Sequence, residues 1–208
     1  MSTENTEYFR TKAFVFDLDG TLIDTTPLIL ETSHGVRTLE TISKWTPHKA
    51  TPNYITEFEK NLADEWEGVS VLPGITTLLQ KVPSNKWGIF TSSSEYMTKK
   101  RLEQCHLPTP HSVVCGDMVE RGKPDPEGYL RVAKELGFEG KDVIVFEDAP
   151  AGIKSARDAG ATVIACETTH TVDQLKQAGA NCVVSLLTEV DFTILPDGSF
   201  EVQVKNTL

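Results

Sequence analysis

Basic residues are outnumbered: 20 lysines and arginines stand against 30 aspartates and glutamates in 208 residues, a formal net charge of −10. That balance repels nucleic acid and anionic membrane surfaces and excludes either as the main partner. Long apolar runs are missing too. None approaches the roughly 20 residues that cross a bilayer, and Met1 to Lys12 is polar and mixed in charge, unlike a secretory signal. Cysteine is sparse. Cys105, Cys115, Cys166 and Cys182 form no Cys-x-x-Cys pair, which argues against structural zinc and fits reduced, buried thiols in a cytoplasmic protein. There is no internal repeat and no low-complexity stretch. What remains, 39% hydrophobic and 24% charged, describes a globular chain with a real core, long enough for one domain carrying a small insert and expected to act as a monomer. An anionic ligand would have to be drawn in by local cations.

Short runs of consecutive apolar residues recur at Ala13 to Phe16, Trp87 to Phe90, Val143 to Phe146, Val163 to Ala165 and Cys182 to Val184, with Ser112 to Cys115 as a further candidate. Such runs suit strands covered on both faces. Helical patterns alternate with them at Glu95 to Cys105, Pro126 to Leu136, Ala151 to Ala159 and Val172 to Ala178, and Gly137, Gly160 and Gly179 stand where three of these would stop. The expected fold class is α/β, a doubly wound, Rossmann-like and mainly parallel sheet. Residues 25–72 break the rhythm. There Thr51-Pro52 opens a helix with Ile55, Phe58, Leu62 and Trp66 on one side, and Val36, Leu39 and Ile42 mark a weaker one. This predicts a helical insert over 25–72, with 1–24 and 73–208 forming the core. Alternating apolar residues around Pro196-Asp197-Gly198 predict a C-terminal hairpin.

Four sites carry chemistry. Asp17 and Asp19 follow an apolar strand, where ligands of an open parallel sheet gather; alone, the pair also reads as a solvated turn. A calcium loop starting at Asp17 is excluded because Leu28 stands where glutamate is needed. Glu147-Asp148 follows a second strand in the same way. Carboxylates meeting at about 5 Å in an effective dielectric near 20 would repel by roughly 3 kcal/mol per pair, which a bound cation relieves. An all-oxygen site with room for water and phosphate suits Mg²⁺ better than zinc. Thr91-Ser92-Ser93-Ser94 stands at the start of a helix, where it can hold phosphate oxygens, cap the helix, or both. Lys123, stiffened by Pro124 and Pro126, can present a fixed positive charge.

These four pieces, in this order, resemble the motifs of the haloacid dehalogenase superfamily of aspartate-nucleophile phosphatases: Asp17-Leu18-Asp19-Gly20-Thr21, Thr91, Lys123, and Phe146-Glu147-Asp148-Ala149-Pro150-Ala151-Gly152. Ser33-His34-Gly35-Val36-Arg37-Thr38, Gly122 to Pro126 and Thr168-Thr169-His170 are similar to its fungal branch of glycerol-phosphate and 2-deoxyglucose-6-phosphate phosphatases. The resemblance implies that Asp17 is the nucleophile and Asp19 the acid and base. It implies Mg²⁺ held by Asp17, the backbone carbonyl of Asp19, Asp148 and, directly or indirectly, Glu147. Thr21, Thr91, Ser92 and Lys123 would serve phosphate, in a small phosphorylated polyol or sugar. The insert would be a cap over the substrate, with Arg37 and His34 at positions that could face it; read as residues alone, Arg37 fits a solvent-facing helix position equally well and His34 reads rather as an ordinary structural residue.

The chain departs from that pattern in having only Leu22 to Thr32 between Thr21 and Ser33, where the related phosphatases carry a longer segment. This puts cap closure in question and leaves two alternatives beside a phosphatase: a phosphosugar mutase of the same superfamily, and a catalytically impaired binding or regulatory relative.

Overall fold

The computed structural model describes residues 6–26 and 34–205. Ser33 and most of the short segment after Thr21 lie outside the described residues. The central sheet contains β2 (Ala13–Phe16), β5 (Trp87–Phe90), β6 (Ser112–Val114), β7 (Val143–Glu147), β8 (Thr162–Cys166) and β9 (Cys182–Val184), in the order β6-β5-β2-β7-β8-β9 with every pairing parallel. The chain moves outward from β2 through β5 to β6, then crosses to the other side of β2 and continues outward from β7. Its direction therefore reverses around β2, and the crevice at the carboxyl ends of β5, β2 and β7 is where such a fold binds ligands. Helices α4 (Glu95–Gln104), α5 (Glu127–Glu135), α6 (Pro150–Asp158) and α7 (Val172–Ala178) lie where the periodicity predicts.

The two faces of the sheet differ in volume. Phe14, Phe16 and Phe146 point to one side, with Phe16 and Phe146 stacked at 4.8 Å between ring centroids. Ala13, Val15, Val145 and Val163 point to the other, against Val132, Ile153 and Ala156. The period of two along a strand sends alternate residues to opposite layers, and Phe90 is the large strand residue of the second one, against Tyr129.

The large face is covered by a second sheet. The predicted hairpin is present as β10 (Val190–Ile194) and β11 (Phe200–Lys205), and β1 (Thr6–Thr11) adds itself antiparallel to the other edge of β11. The N-terminal stretch, a polar segment by its composition, is thus a strand. Phe9 and Thr11 turn inward while Tyr8 and Arg10 face water, an alternation diluted by charge, and the pairing is made by backbone bonds that composition does not report. A helix with no predicted counterpart, α3 (Ile75–Lys81), buries Ile75, Leu78 and Leu79 in the same layer.

Between β3 (Ile23–Asp24) and β4 (Ser70–Val71), which pair antiparallel, lie α1 (Thr38–Trp45) and α2 (Pro52–Asp64). Thr51 caps α2 as expected, its hydroxyl accepting from the Tyr54 amide at 3.3 Å. α2 packs on α4, where Arg101, 2% exposed, gives its guanidinium to the carbonyls of Leu62, Ala63 and Glu65 at the end of α2.

Cys115, Cys166 and Cys182 are buried and Cys105 half-buried, all as free thiols. No helix among the described residues is long and apolar enough to cross a membrane.

Candidate active site

Asp17 leaves β2 with its amide bonded to the Phe146 carbonyl (3.0 Å), so the ends of β2 and β7 are held together. The chain then turns tightly, the amides of Thr21, Leu22 and Ile23 all donating to the Leu18 carbonyl. Gly20 makes the turn with φ of 85°, and a Cβ there would stand 2.3 Å from Asp148 Oδ2. Only glycine allows both the conformation and the approach of Asp148.

Lys123 Nζ donates to Asp17 Oδ1 and to Glu147 Oε1, both at 2.6 Å, with no side-chain exposure. The Phe90 and Tyr129 rings lie 5.1 and 5.3 Å from the ammonium. Burial would drive the proton off this lysine, but Asp17 and Glu147 outweigh burial and hold its pKa above the ordinary value. It stays a cation in a dry setting.

The resemblance implies Glu147 as a direct or indirect metal partner, and the structure favours the indirect role. Oε1 accepts from Lys123 and the Tyr129 hydroxyl (2.8 Å), and Oε2 from the amides of Asp148 and Ala149 (2.9 and 3.0 Å). With four donors its acceptor capacity is filled, and direct ligation would break one of these bonds. Gly152 permits this seat, since a Cβ there would fall 1.6 Å from Oε1. Tyr129, not foreseen, is a buried ring on the inner face of α5 that amphipathic spacing alone reads as core.

Asp148 is fully buried. Its carboxylate accepts from the hydroxyls of Thr21 (3.4 Å) and Thr169, and Nδ1 of His34 lies 3.6 Å away. Thr21, expected at phosphate, instead turns its hydroxyl to Asp148. Thr169 was marked by its motif without a role; it and Thr168, which donates to the Gly20 carbonyl, fasten the loop after β8 to the first turn. Asp19 accepts from Ser93 (2.8 Å) and Thr91 (3.5 Å). Ser94 caps α4, and Thr91, Ser92 and Ser93 line the cavity beside Asp17 and Asp19. Ser92 donates to the Gly35 carbonyl at 3.1 Å.

Oxygens of Asp17, Glu147 and Asp148 lie within 4.8 Å of one another. Burial raises Asp17 to about 7, partly offset by Lys123 and reinforced by the charges of Glu147 and Asp19; burial, Glu147 and Asp17 push Asp148 well above the carboxylate range. A buried oxygen-only cluster with one ammonium for several carboxylates fits a small divalent cation.

Above Asp17 and Asp19 is a cavity of about 240 Å³. Its core wall is Thr91, Ser92, Ser93 and Met97, and its opposite wall comes from residues 34–42 and α2. His34 lines it, 4% exposed, with neither ring nitrogen in a hydrogen bond. Arg37, expected to face substrate, does not. Its guanidinium is engaged by Glu40 (2.5 and 2.7 Å) and by the carbonyls of Gly116, Val119 and Glu120 at 3.3 to 3.4 Å. Four acceptors close by outcompete an open cavity for its donors.

Residues 11–160 match the family model described as haloacid dehalogenase-like hydrolase. The chain belongs to that family. It is 31% identical over 205 residues to glycerol-1-phosphate phosphohydrolase 2 of Saccharomyces cerevisiae, covering 84% of this chain and 82% of that one. To 2-deoxyglucose-6-phosphate phosphatase 2 of the same yeast it is 32% identical over 234 residues, covering 93% and 95%. Among solved structures, a putative beta-phosphoglucomutase from Thermotoga maritima superposes with a TM-score of 0.63 at 28% identity, covering 83% of this chain and 93% of that chain. With phosphatases as relatives across most of its length, this haloacid dehalogenase-like chain is a phosphomonoester hydrolase.

Proposed function

We propose that the chain is a Mg²⁺-dependent phosphatase of small sugar or polyol phosphates, working through a phosphorylated Asp17, with residues 25–72 as its cap. The observation that carries this is Asp17 at the floor of a cavity, fixed by Lys123 and two residues from Asp19. An oxygen of Asp17 attacks phosphorus, the bond to the leaving oxygen breaks, and Asp19 gives that oxygen its proton. Asp19 then takes a proton from water, whose oxygen attacks the phosphorylated Asp17, releasing phosphate and restoring the carboxylate. Two displacements replace one difficult step, and the carboxylate–alcohol proton traffic needs no further residue.

Lys123 neutralises charge beside the nucleophile and meets phosphate oxygens, with Glu147 and Tyr129 fixing its position. Thr91, Ser92 and Ser93 offer hydroxyls on the same side. Asp17, Asp148 and the Asp19 carbonyl would hold Mg²⁺, which supplies positive charge opposite the phosphate oxygens when bound. Val36, Phe58 and Leu62 line the same cavity as Asp17 and Asp19, which supports the cap assignment. The relatives' names, and the cavity's size, support a small polyol or sugar ester.

The test is phosphate release from a panel of sugar and polyol phosphates with Mg²⁺. Asp17→Asn keeps the shape but lacks the nucleophile, and activity should drop by at least about a thousandfold. Equal activity in both proteins would remove Asp17 from the mechanism. Similarity to a putative mutase supports a second reading, an isomerase of sugar phosphates. Isomer formation without net phosphate release would select it.

A further inference from the structure

On the phosphatase reading, the part of the cavity remote from Asp17 receives the alcohol that leaves. Beyond the aspartates and hydroxyl residues, the cavity's lining includes the apolar Val36, Ile42, Phe58, Leu62 and Met97, and Glu59 stands among them. Phe58, Glu59 and Leu62 share one face of α2, at spacings of three and four residues. No lysine or arginine is among the described residues lining the cavity. Residues 1–5, 27–33 and 206–208 contain none either, so they cannot add such a side chain. Arg37 is engaged by Glu40 and three carbonyls, and Lys123 by Asp17 and Glu147. His34 stands on the catalytic side, against Asp148.

We infer that this enzyme selects monoesters of uncharged alcohols and rejects those bearing a second phosphate or a carboxylate, with Glu59 as the residue that rejects them. A second anion in this wall would lose water, find no cation and face Glu59. An uncharged alcohol lays its C–H surface on the apolar wall and keeps its hydroxyls for Thr38, Thr41 and Ser92. The same wall disfavours a mutase cycle, in which a sugar bisphosphate must be held at both ends. The inference rests on the phosphatase reading and deepens it.

The test compares kcat/KM within two matched pairs, glycerol 1-phosphate against 3-phosphoglycerate and a hexose 6-phosphate against the hexose 1,6-bisphosphate, with p-nitrophenyl phosphate as a generic substrate. Each ratio is taken within one preparation, so the fraction of folded protein cancels. Wild type should favour the uncharged leaving group by on the order of a hundredfold, and Glu59→Gln should narrow the gap about tenfold, Glu59→Lys further. Equal efficiency within both pairs for wild type overturns the inference and leaves the phosphatase reading intact. So does a gap that neither substitution changes, since Glu59 is then not its source. No release from any of the five overturns the phosphatase reading, and the inference with it.

Discussion

Asp17 and Lys123 show how one pair of side chains serves both stability and chemistry. With Asp17 held at about 7, against an ordinary 3.8, the unfolded chain loses this proton before the folded one does. Asp17 therefore favours the folded state fully below about pH 4, progressively less as pH rises to about 7, and not at all above that. Asp142 and Asp191, held low by Lys12 and Lys81, act in the opposite sense but below that window. A divalent cation favours the ionised form. Saturating Mg²⁺ should accordingly raise Tm more near pH 8 than near pH 5. An equal rise at both would separate the ion from these carboxylates. Glu147 illustrates the limit of reading residues from sequence. Its place beside Asp148 was legible, but its saturation by Lys123, Tyr129 and two amides depends on three segments meeting, which spacing along one chain does not encode.

Among the elements, α2 buries only Ala63 among its own residues and is held at its end by a neighbour. Its start was legible, because Thr51 and Pro52 act locally. Its end was not. Arg101 is an ordinary member of an exposed-looking helix in sequence, yet it is buried and donates to the last carbonyls of α2. Arg101→Met should remove those bonds at a cost of at least about 2 kcal/mol in urea unfolding. Amide exchange across 52–64 should accelerate with it; unchanged exchange would mean α2 is anchored elsewhere. Arg37 makes the same point in reverse: a motif marked it for substrate, while the carbonyls of the loop after β6, invisible in composition, take it.

At the scale of the molecule, the six parallel strands were legible because each is apolar on consecutive residues, a pattern set by burial on both faces. The second sheet was read as two strands rather than three because β1 contributes backbone more than side chains. Its value lies in Phe200, fully buried and 4.7 Å from Phe14 between ring centroids. Phe200→Ala should cost about 3–5 kcal/mol in chemical denaturation while leaving the KM of the folded enzyme near wild type. A cost below about 1 kcal/mol would show that the hairpin is only loosely attached.

The unequal faces of the central sheet reach further than the core. Phenylalanines fill one layer; in the other Ala13, Val15 and Val163 are small, and Phe90 is accommodated against α5 by the bare Cα of Gly128. From α5 Tyr129 meets Glu147, and on α6 the bare Cα of Gly152 makes room for the same carboxylate. The spacing of charges around the nucleophile is thus inherited from side-chain volumes a layer below, and a methylene added there would be felt as a misplaced lysine.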